Sequence, residues 1–154
     1  MGFFKKIFGL EKTDKEEIKQ INPGNPYSSM THRQKLAAMN LMLAFGGSCS
    51  GTPDELSKIN HIMTQEGRLL GISADEMNTA TSSFNGMKGM SDALKGADRL
   101  ALEKLFWAFY CIIAAGKNEM AVRVLLLMYE GFGFSTQDCL SILNRKTGIN
   151  LEEL

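Results

Sequence analysis

The chain has 154 residues, of which 44% are hydrophobic and 22% are charged. These values are ordinary for a single globular domain, and a domain of this length can bury its own core. Lysine plus arginine and aspartate plus glutamate are equal in number, at 17 each, so the formal net charge is zero. Because nucleic-acid-binding domains usually carry a basic excess that neutralises phosphates, we expect no nucleic acid among the partners of this chain.

The sequence also argues against secretion and against a membrane-spanning helix. No hydrophobic signal region precedes the charged run 11–19, and the longest apolar stretch, residues 105–115, is shorter than the roughly 20 residues that cross a bilayer. The three cysteines, Cys49, Cys111 and Cys139, form no CxxC pair and no zinc-type cluster with the two histidines. We therefore expect a cytoplasmic location, either free or peripheral at the inner face of the membrane.

The N-terminal segment, residues 1–10, is the clearest interaction element in the sequence. Four large apolar residues share one face of the helix that this segment would form, and two lysines share the other: Phe3, Phe4, Ile7 and Phe8 against Lys5 and Lys6. Three alternatives stay open for the apolar face, namely packing on the chain's own core, docking to a partner or a second copy, and contact with a membrane interface. We assign residues 1–26 to this amphipathic segment and a charged tether, and residues 27–154 to a helical domain.

Four capping boxes predict where helices begin. In such a box a Ser or Thr side chain accepts a hydrogen bond from the backbone N–H three residues later, and the acidic or amide side chain there accepts one in return. The four boxes are Thr31–Gln34, Thr52–Glu55, Ser73–Glu76 and Ser135–Asp138. At the second box Pro53 occupies the first helical position, which needs no backbone N–H donor.

The predicted elements, taken in chain order, are all helical. In the first half of the chain, the pattern predicts a helix after Thr31, a helix that ends at Gly71 and a helix after Ser73. A connection over 85–96 follows, with one helical turn at 91–95. The second half has predicted helices over 98–115 and 118–131 and a last helix after Ser135. The helix over 98–115 is apolar on all sides from Leu105 onward, which indicates that other helices surround it. No stretch shows the period-two alternation of a strand. We therefore expect an all-α fold, a compact bundle of about six to eight helices.

Helical spacing further predicts the buried faces of the last two helices. Five apolar positions in and just after 118–131 are expected to face the core: Ala121, Val124, Leu125, Met128 and Phe132. In the last helix the expected core residues are Cys139, Leu140 and Leu143. Cys111 lies in the most apolar helix and is expected to be a small core residue as well.

Two segments share a layout that indicates an internal repeat of a helix-loop-helix unit. Each has a helix, a glycine-containing turn (46–51 or 116–118) and a second helix that closes on Gly-apolar-Ser-x-x-acid, at 71–76 or 133–138. We expect the glycine of this junction to adopt a left-handed conformation, the apolar residue to pack back on the helix, and the serine to cap the next helix. The alternative is a common helix junction that occurs twice by coincidence.

This layout resembles the tellurite-resistance TerB-like family, whose fold is similar to the N-terminal cytosolic domain of the membrane-anchored DnaJ-type co-chaperone DjlA. The resemblance rests on small and apolar residues before each turn, a glycine in the turn, and acids at the start of the next helix. It covers roughly residues 31–146. It implies the TerB-like helical fold for the domain over 27–154.

The resemblance also implies a metal centre, which this sequence does not support. Members of the family carry Asp-Gly in each turn, and the corresponding pairs here are Ser50-Gly51 and Ala115-Gly116, so both aspartates are missing. Three acids lie nearby, and they are weak candidate ligands that also suit helix N-termini: Asp54, Glu55 and Glu119. Because a hard cation needs several convergent oxygen ligands, we expect no metal and no other cofactor.

No arrangement of residues typical of an enzyme is present in the sequence. His32 lies in a capping box and His61 on a helix, and neither forms a motif with a nucleophile and an orienting group. Neither GxGxxG nor a P-loop occurs. Cys49 lies on a turn before a helix N-terminus, a position that can lower a thiol pKa, and is a weak candidate for a redox role.

The sequence thus predicts a non-enzymatic interaction or adaptor domain of TerB-like type with a stress-related or envelope-related role. Its partner would be an unidentified protein, and peripheral membrane contact and homo-oligomerisation are further expectations for its surface. The alternative is a cation- or redox-responsive module that uses the inter-helix turns, through Asp54, Glu55, Glu119 or Cys49.

Overall fold

A computed structural model describes residues 25–47, 51–73, 75–76 and 83–145, and within these ranges the chain forms helices and no β-strand. The helices are α1 (His32–Gly47), α2 (Pro53–Leu70), α3 (Gly86–Leu94), α4 (Arg99–Ala115), α5 (Glu119–Gly131) and α6 (Thr136–Arg145). One short 3-10 turn, Pro26–Ser29, precedes α1. The predicted all-α bundle is confirmed, with six helices in the described ranges.

All four predicted capping boxes are present with both of their hydrogen bonds. At the start of α2, for example, the Thr52 hydroxyl oxygen accepts from the Glu55 backbone N–H at 3.3 Å, and the Glu55 carboxylate accepts from the Thr52 N–H at 2.8 Å. The reciprocal bonds of the other three boxes measure 2.8–3.2 Å. The boxes satisfy backbone N–H groups that a helix cannot pair internally, which explains why the helices begin where they do.

The two repeated junctions have the predicted geometry. Gly71 and Gly133 have φ angles of 70° and 93°, a left-handed backbone that favours glycine over any residue with a Cβ. After Gly71 the backbone N–H of Ile72 returns to the carbonyl oxygen of Gly67 at 3.1 Å, which closes α2. Ile72 is partly buried and Phe134 is buried, so the apolar residue of each junction packs back on the core.

The fold is arranged around α4, which packs against α1, α2, α5, α6 and the 3-10 turn. Its apolar residues are buried nearly all round, as expected for a surrounded helix. Aromatic contacts extend from it in two directions: the Phe109 ring lies 5.4 Å from the Phe45 ring of α1, and the Phe106 ring lies 4.9 Å from the Tyr129 ring of α5. Although α4 is the most apolar helix, neither it nor any other described helix combines the length and hydrophobicity needed to span a membrane.

The segment between Asn85 and Gly96 differs from the prediction. Instead of one helical turn over 91–95, the structure has a nine-residue helix, α3, which packs on α1. Its glycines lower the intrinsic helix propensity, and for this reason the sequence predicts a shorter element. Burial of Met90 and Leu94 against the core compensates for this low propensity.

In the last two helices, two residues that we expected in the core are exposed. Val124 of α5 and Leu140 of α6 are accessible to solvent, whereas Leu125 and Cys139 beside them are buried as predicted. The outer side of α5 also carries large apolar residues, so helical spacing alone could not show which of them face α4. The apolar residues left outside on α5 lie close together on one face of the helix.

We expect the capping carboxylates to make the stability of the domain depend on acid pH. Backbone hydrogen bonds from Thr52, Ser73 and Ser135 are the main cause of the lowered pKa of the Glu55, Glu76 and Asp138 carboxyl groups, respectively. Since the unfolded chain binds protons first as the pH falls, this stabilisation is present above a pH of about 4 and is lost below it.

Urea unfolding between about pH 6 and 3 measures this effect. Replacing all three acids by their amides (Glu55→Gln, Glu76→Gln, Asp138→Asn) should flatten the decrease in unfolding free energy. Glu119→Gln, which changes an exposed acid of α5 outside the capping boxes, is the control and should leave the slope nearly unchanged. Equal slopes for the triple variant and the control would contradict the assignment.

Candidate interaction surface

An ion pair joins the turn between α4 and α5 to the first turn of α2. Lys117, in the turn between α4 and α5, places its ammonium 3.2 Å from the Glu55 carboxylate at the start of α2. Lys117 has a φ angle of 54°, and it is the one non-glycine residue with positive φ among the described residues. The pKa of Glu55 is lowered first by the backbone bond from Thr52 and then by the hydrogen bond from Lys117. The contact thus joins the second segment of the predicted repeat to the first.

The residues at this place do not fit a metal centre of the kind that the resemblance implies. Glu55 is already bonded to a backbone N–H and to an ammonium group, and the turn position of Ala115 offers a buried methyl group. Asp54 is exposed and lies 3.9 Å from Lys58, and Glu119 is exposed at the first position of α5. Within the described ranges, no three His, Cys, Asp or Glu side chains come together in a way that could hold an ion. A lysine supplies the positive charge beside Glu55.

The histidines and the described cysteines lie in separate places. His32 is exposed and its Nε2 lies 2.9 Å from the Glu76 carboxylate, whereas His61 is partly buried and its pKa is lowered by that burial. Burial raises the thiol pKa of both Cys111 and Cys139, so the reactive thiolate is disfavoured at each. Cys49 and the N-terminal residues Phe3, Phe4, Lys5, Lys6, Ile7 and Phe8 lie outside the described residues, and their predicted roles stay predictions.

A buried cluster of polar side chains, which the sequence analysis missed, joins three elements. Glu66 of α2 is fully buried, and Lys104 of α4 donates to its two carboxylate oxygens at 3.2 and 3.1 Å. The hydroxyl of Tyr27, in the 3-10 turn, donates to the same carboxylate, and the Lys104 ammonium lies 5.7 Å from the centre of the Tyr27 ring. The pKa of Tyr27 is raised well above its usual value, first by burial and then by the Glu66 charge. The neutral phenol is therefore the form that the fold stabilises.

This cluster is structural, since its polar atoms are enclosed and bonded to each other. Tyr27 and Glu66 expose none of their surface, and the Lys104 side chain exposes 10%. Beside it, Asn25 donates to the backbone oxygen of Leu69 at 2.7 Å, which holds the chain before Tyr27 against the last turn of α2. We call Tyr27, Glu66 and Lys104 the buried charge cluster.

A long apolar groove lies between α1 and α2, on the surface of the domain. Its volume is about 600 Å³. Its apolar lining consists of Met39 and Leu43 from α1, Met63 and Gly67 from α2, and Ile72 after α2; its polar lining includes Asn60, Thr64, Arg68 and Ser73. No acidic side chain lines it among the described residues, and Arg68 supplies the only formal charge there. We call this feature the α1–α2 groove.

Breaking the buried charge cluster on one side should destabilise the domain strongly. In Lys104→Met the Glu66 carboxylate stays buried without its cation, and we expect the unfolding free energy to fall by about 3–5 kcal/mol. In the double variant Glu66→Gln/Lys104→Met no charge is buried and the amide still accepts from Tyr27, so the loss should be smaller than in the single variant.

Urea unfolding at neutral pH compares these variants. The matched control is Lys88→Met, because Lys88 forms an exposed pair with Asp92 at 3.5 Å and should be replaceable with little change. A Lys104→Met variant as stable as this control would contradict the proposed importance of the cluster.

Calcium should leave the melting temperature of the domain unchanged after chelator treatment, because Lys117 already neutralises Glu55 and no second acid converges with it among the described residues. The measurement is thermal unfolding during a calcium titration. A saturable rise in melting temperature that disappears in Glu55→Gln would contradict this expectation and restore the metal centre.

Comparison of this sequence and structure with protein-family models, with curated proteins and with solved structures finds no match. The resemblance to the TerB-like family therefore rests on the repeat and its glycines alone.

Proposed function

We propose that this chain is a non-enzymatic interaction domain, an adaptor of TerB-like type, that binds an amphipathic segment of a partner protein in the α1–α2 groove. The observation that carries the proposal is the groove itself, a preformed apolar depression of about 600 Å³ on the surface of the domain. Concave apolar surfaces that carry a few polar groups are the usual places where proteins bind their ligands.

The lining of the groove supports a peptide segment as its ligand. Met39 and Met63 are flexible and polarisable, and methionine-rich surfaces adapt to apolar side chains of different shapes. Leu43 is exposed on the same surface, so contact with an incoming apolar residue would bury it. An amphipathic helix that docks in a groove uses apolar residues three or four positions apart in this way.

The charge of the groove narrows the class of partner. Arg68 is the only charged lining residue among the described ones, and the other polar groups are neutral. A basic segment finds no described carboxylate in the groove to pair with, so a segment with neutral or acidic polar flanks fits better.

The cation- or redox-responsive alternative gains no support from a specific contact. Glu55 is engaged by Lys117, and Cys49, the redox candidate, lies outside the described residues. We therefore place the function in the groove and leave the turns as structural elements. The stress- or envelope-related setting follows from the TerB-like resemblance and forms part of the proposal.

The experiment places a photo-crosslinking amino acid at position 43, inside the groove, in cells that express the full chain. Position 56 is the matched control, because Leu43 and Leu56 are exposed to 44% and 42%, respectively, and only Leu43 lines the groove. The crosslinked segment of the captured protein is then synthesised and titrated against the purified wild-type chain, Leu43→Glu and Leu56→Glu.

We expect a crosslink at position 43 and none at position 56, and a dissociation constant that Leu43→Glu raises at least about tenfold. Leu56→Glu should bind like the wild type. Equal crosslinking at both positions, or peptide binding that Leu43→Glu does not weaken, would refute the proposal.

A further inference from the structure

The outer face of α5 carries a continuous apolar stripe that no other described element covers. Met120 and Leu127 are 67% and 68% exposed, and Val124 between them is 44% exposed. These residues are three or four positions apart and so lie on one face of the helix. A single exposed apolar residue is common, but three in a row on one helix face indicate a contact surface.

Two opposite charges lie along one edge of this stripe. Arg123 and Glu130 are seven positions apart, two helical turns, and both are exposed. Neither forms an ion pair with another described side chain. The positive charge is nearer the start of α5 and the negative charge nearer its end, with Leu127 between them.

We propose that the outer face of α5 binds the same face of a second copy of this chain, with the two helices antiparallel across a two-fold axis. In such an interface, positions on one edge of the first helix face positions on the same edge of the second, in reverse order. Arg123 then faces Glu130 of the second copy, and Glu130 faces Arg123 of the second copy. The stripe is therefore complementary to itself in charge, and this selects a second copy as the occupant.

The same register brings the apolar groups together. The midpoint between Arg123 and Glu130 lies next to Leu127, so the Leu127 side chains of the two copies meet close to the axis. Met120 is then level with Gly133 of the second copy, in the turn after its α5. Gly133 has no side chain, and next to it lies a groove of about 250 Å³ whose lining includes Leu127, Phe134, Thr136 and Cys139. The turn thus leaves room for the methionine side chain.

The length of α5 limits the area that the two copies can bury. α5 has 13 residues and is about 20 Å long. A pair of such helices, with the adjoining turns, buries less than the about 1,600 Å² of a standard stable interface. We therefore expect a reversible dimer in the micromolar range that high salt weakens.

Sedimentation equilibrium of the full chain over a range of concentrations tests this geometry with charge variants. Arg123→Glu and Glu130→Arg each replace two attractive pairs by two repulsive pairs, and each should raise the dimer dissociation constant about tenfold or more. The double variant Arg123→Glu/Glu130→Arg restores both pairs with the charges exchanged, and its dissociation constant should return to near the wild-type value.

An apolar variant and its control complete the test. Leu127→Glu should abolish the dimer, whereas Leu100→Glu should not, although Leu100 is 65% exposed and thus equally accessible. Circular dichroism establishes that each variant is folded. A wild-type chain that stays monomeric, or a dimer that the double charge exchange does not restore, would overturn the proposal. Neither result would bear on the α1–α2 groove, which lies on other helices.

Discussion

The carboxylate of Glu66 is a charge fully removed from water, and the structure has to provide two partners for it at the same time. Lys104 supplies a cation with two hydrogen bonds, and Tyr27 supplies a hydroxyl from a different part of the chain. A buried charge that lacks its partner is costly, so α2, α4 and the 3-10 turn can approach each other in only one way. The α1–α2 groove lies on the helix that this contact holds, and its shape depends on that arrangement.

The first residues of the helices could be predicted because a capping box lies within four consecutive residues, as in Thr52–Glu55. The buried charge cluster could not be predicted in this way. Lys104 and Tyr27 are 38 and 39 positions from Glu66, and nothing in the local sequence distinguishes Glu66 from an exposed acid. One sequence signal was available: Lys104 is a charge inside the most apolar helix, and such a residue needs a buried partner. α3 was underestimated because tertiary packing outweighs glycine content.

The turns show how far a family resemblance can predict a site. The sequence predicted two segments with the same layout, and the structure brings Glu55, at the start of α2 in one segment, into contact with Lys117, in the turn of the other. The chemistry there differs from the metal centre that the resemblance implies. The Lys117 ammonium faces Glu55, whereas Asp54 and Glu119 are exposed and lie outside this contact. The surface residues that carry our proposals were hard to identify, because Val124 and Leu43 follow the same helical spacing as core residues.

The position of Tyr27 in the sequence has a consequence for how the domain opens. A short turn that precedes the first described helix would ordinarily open independently of the rest, at little free-energy cost. Here the turn cannot detach without removing a donor from a buried carboxylate and admitting water beside Lys104. The first described residues therefore belong to the same cooperative unit as α2 and α4. A force applied to the chain ahead of Asn25 acts directly on the core.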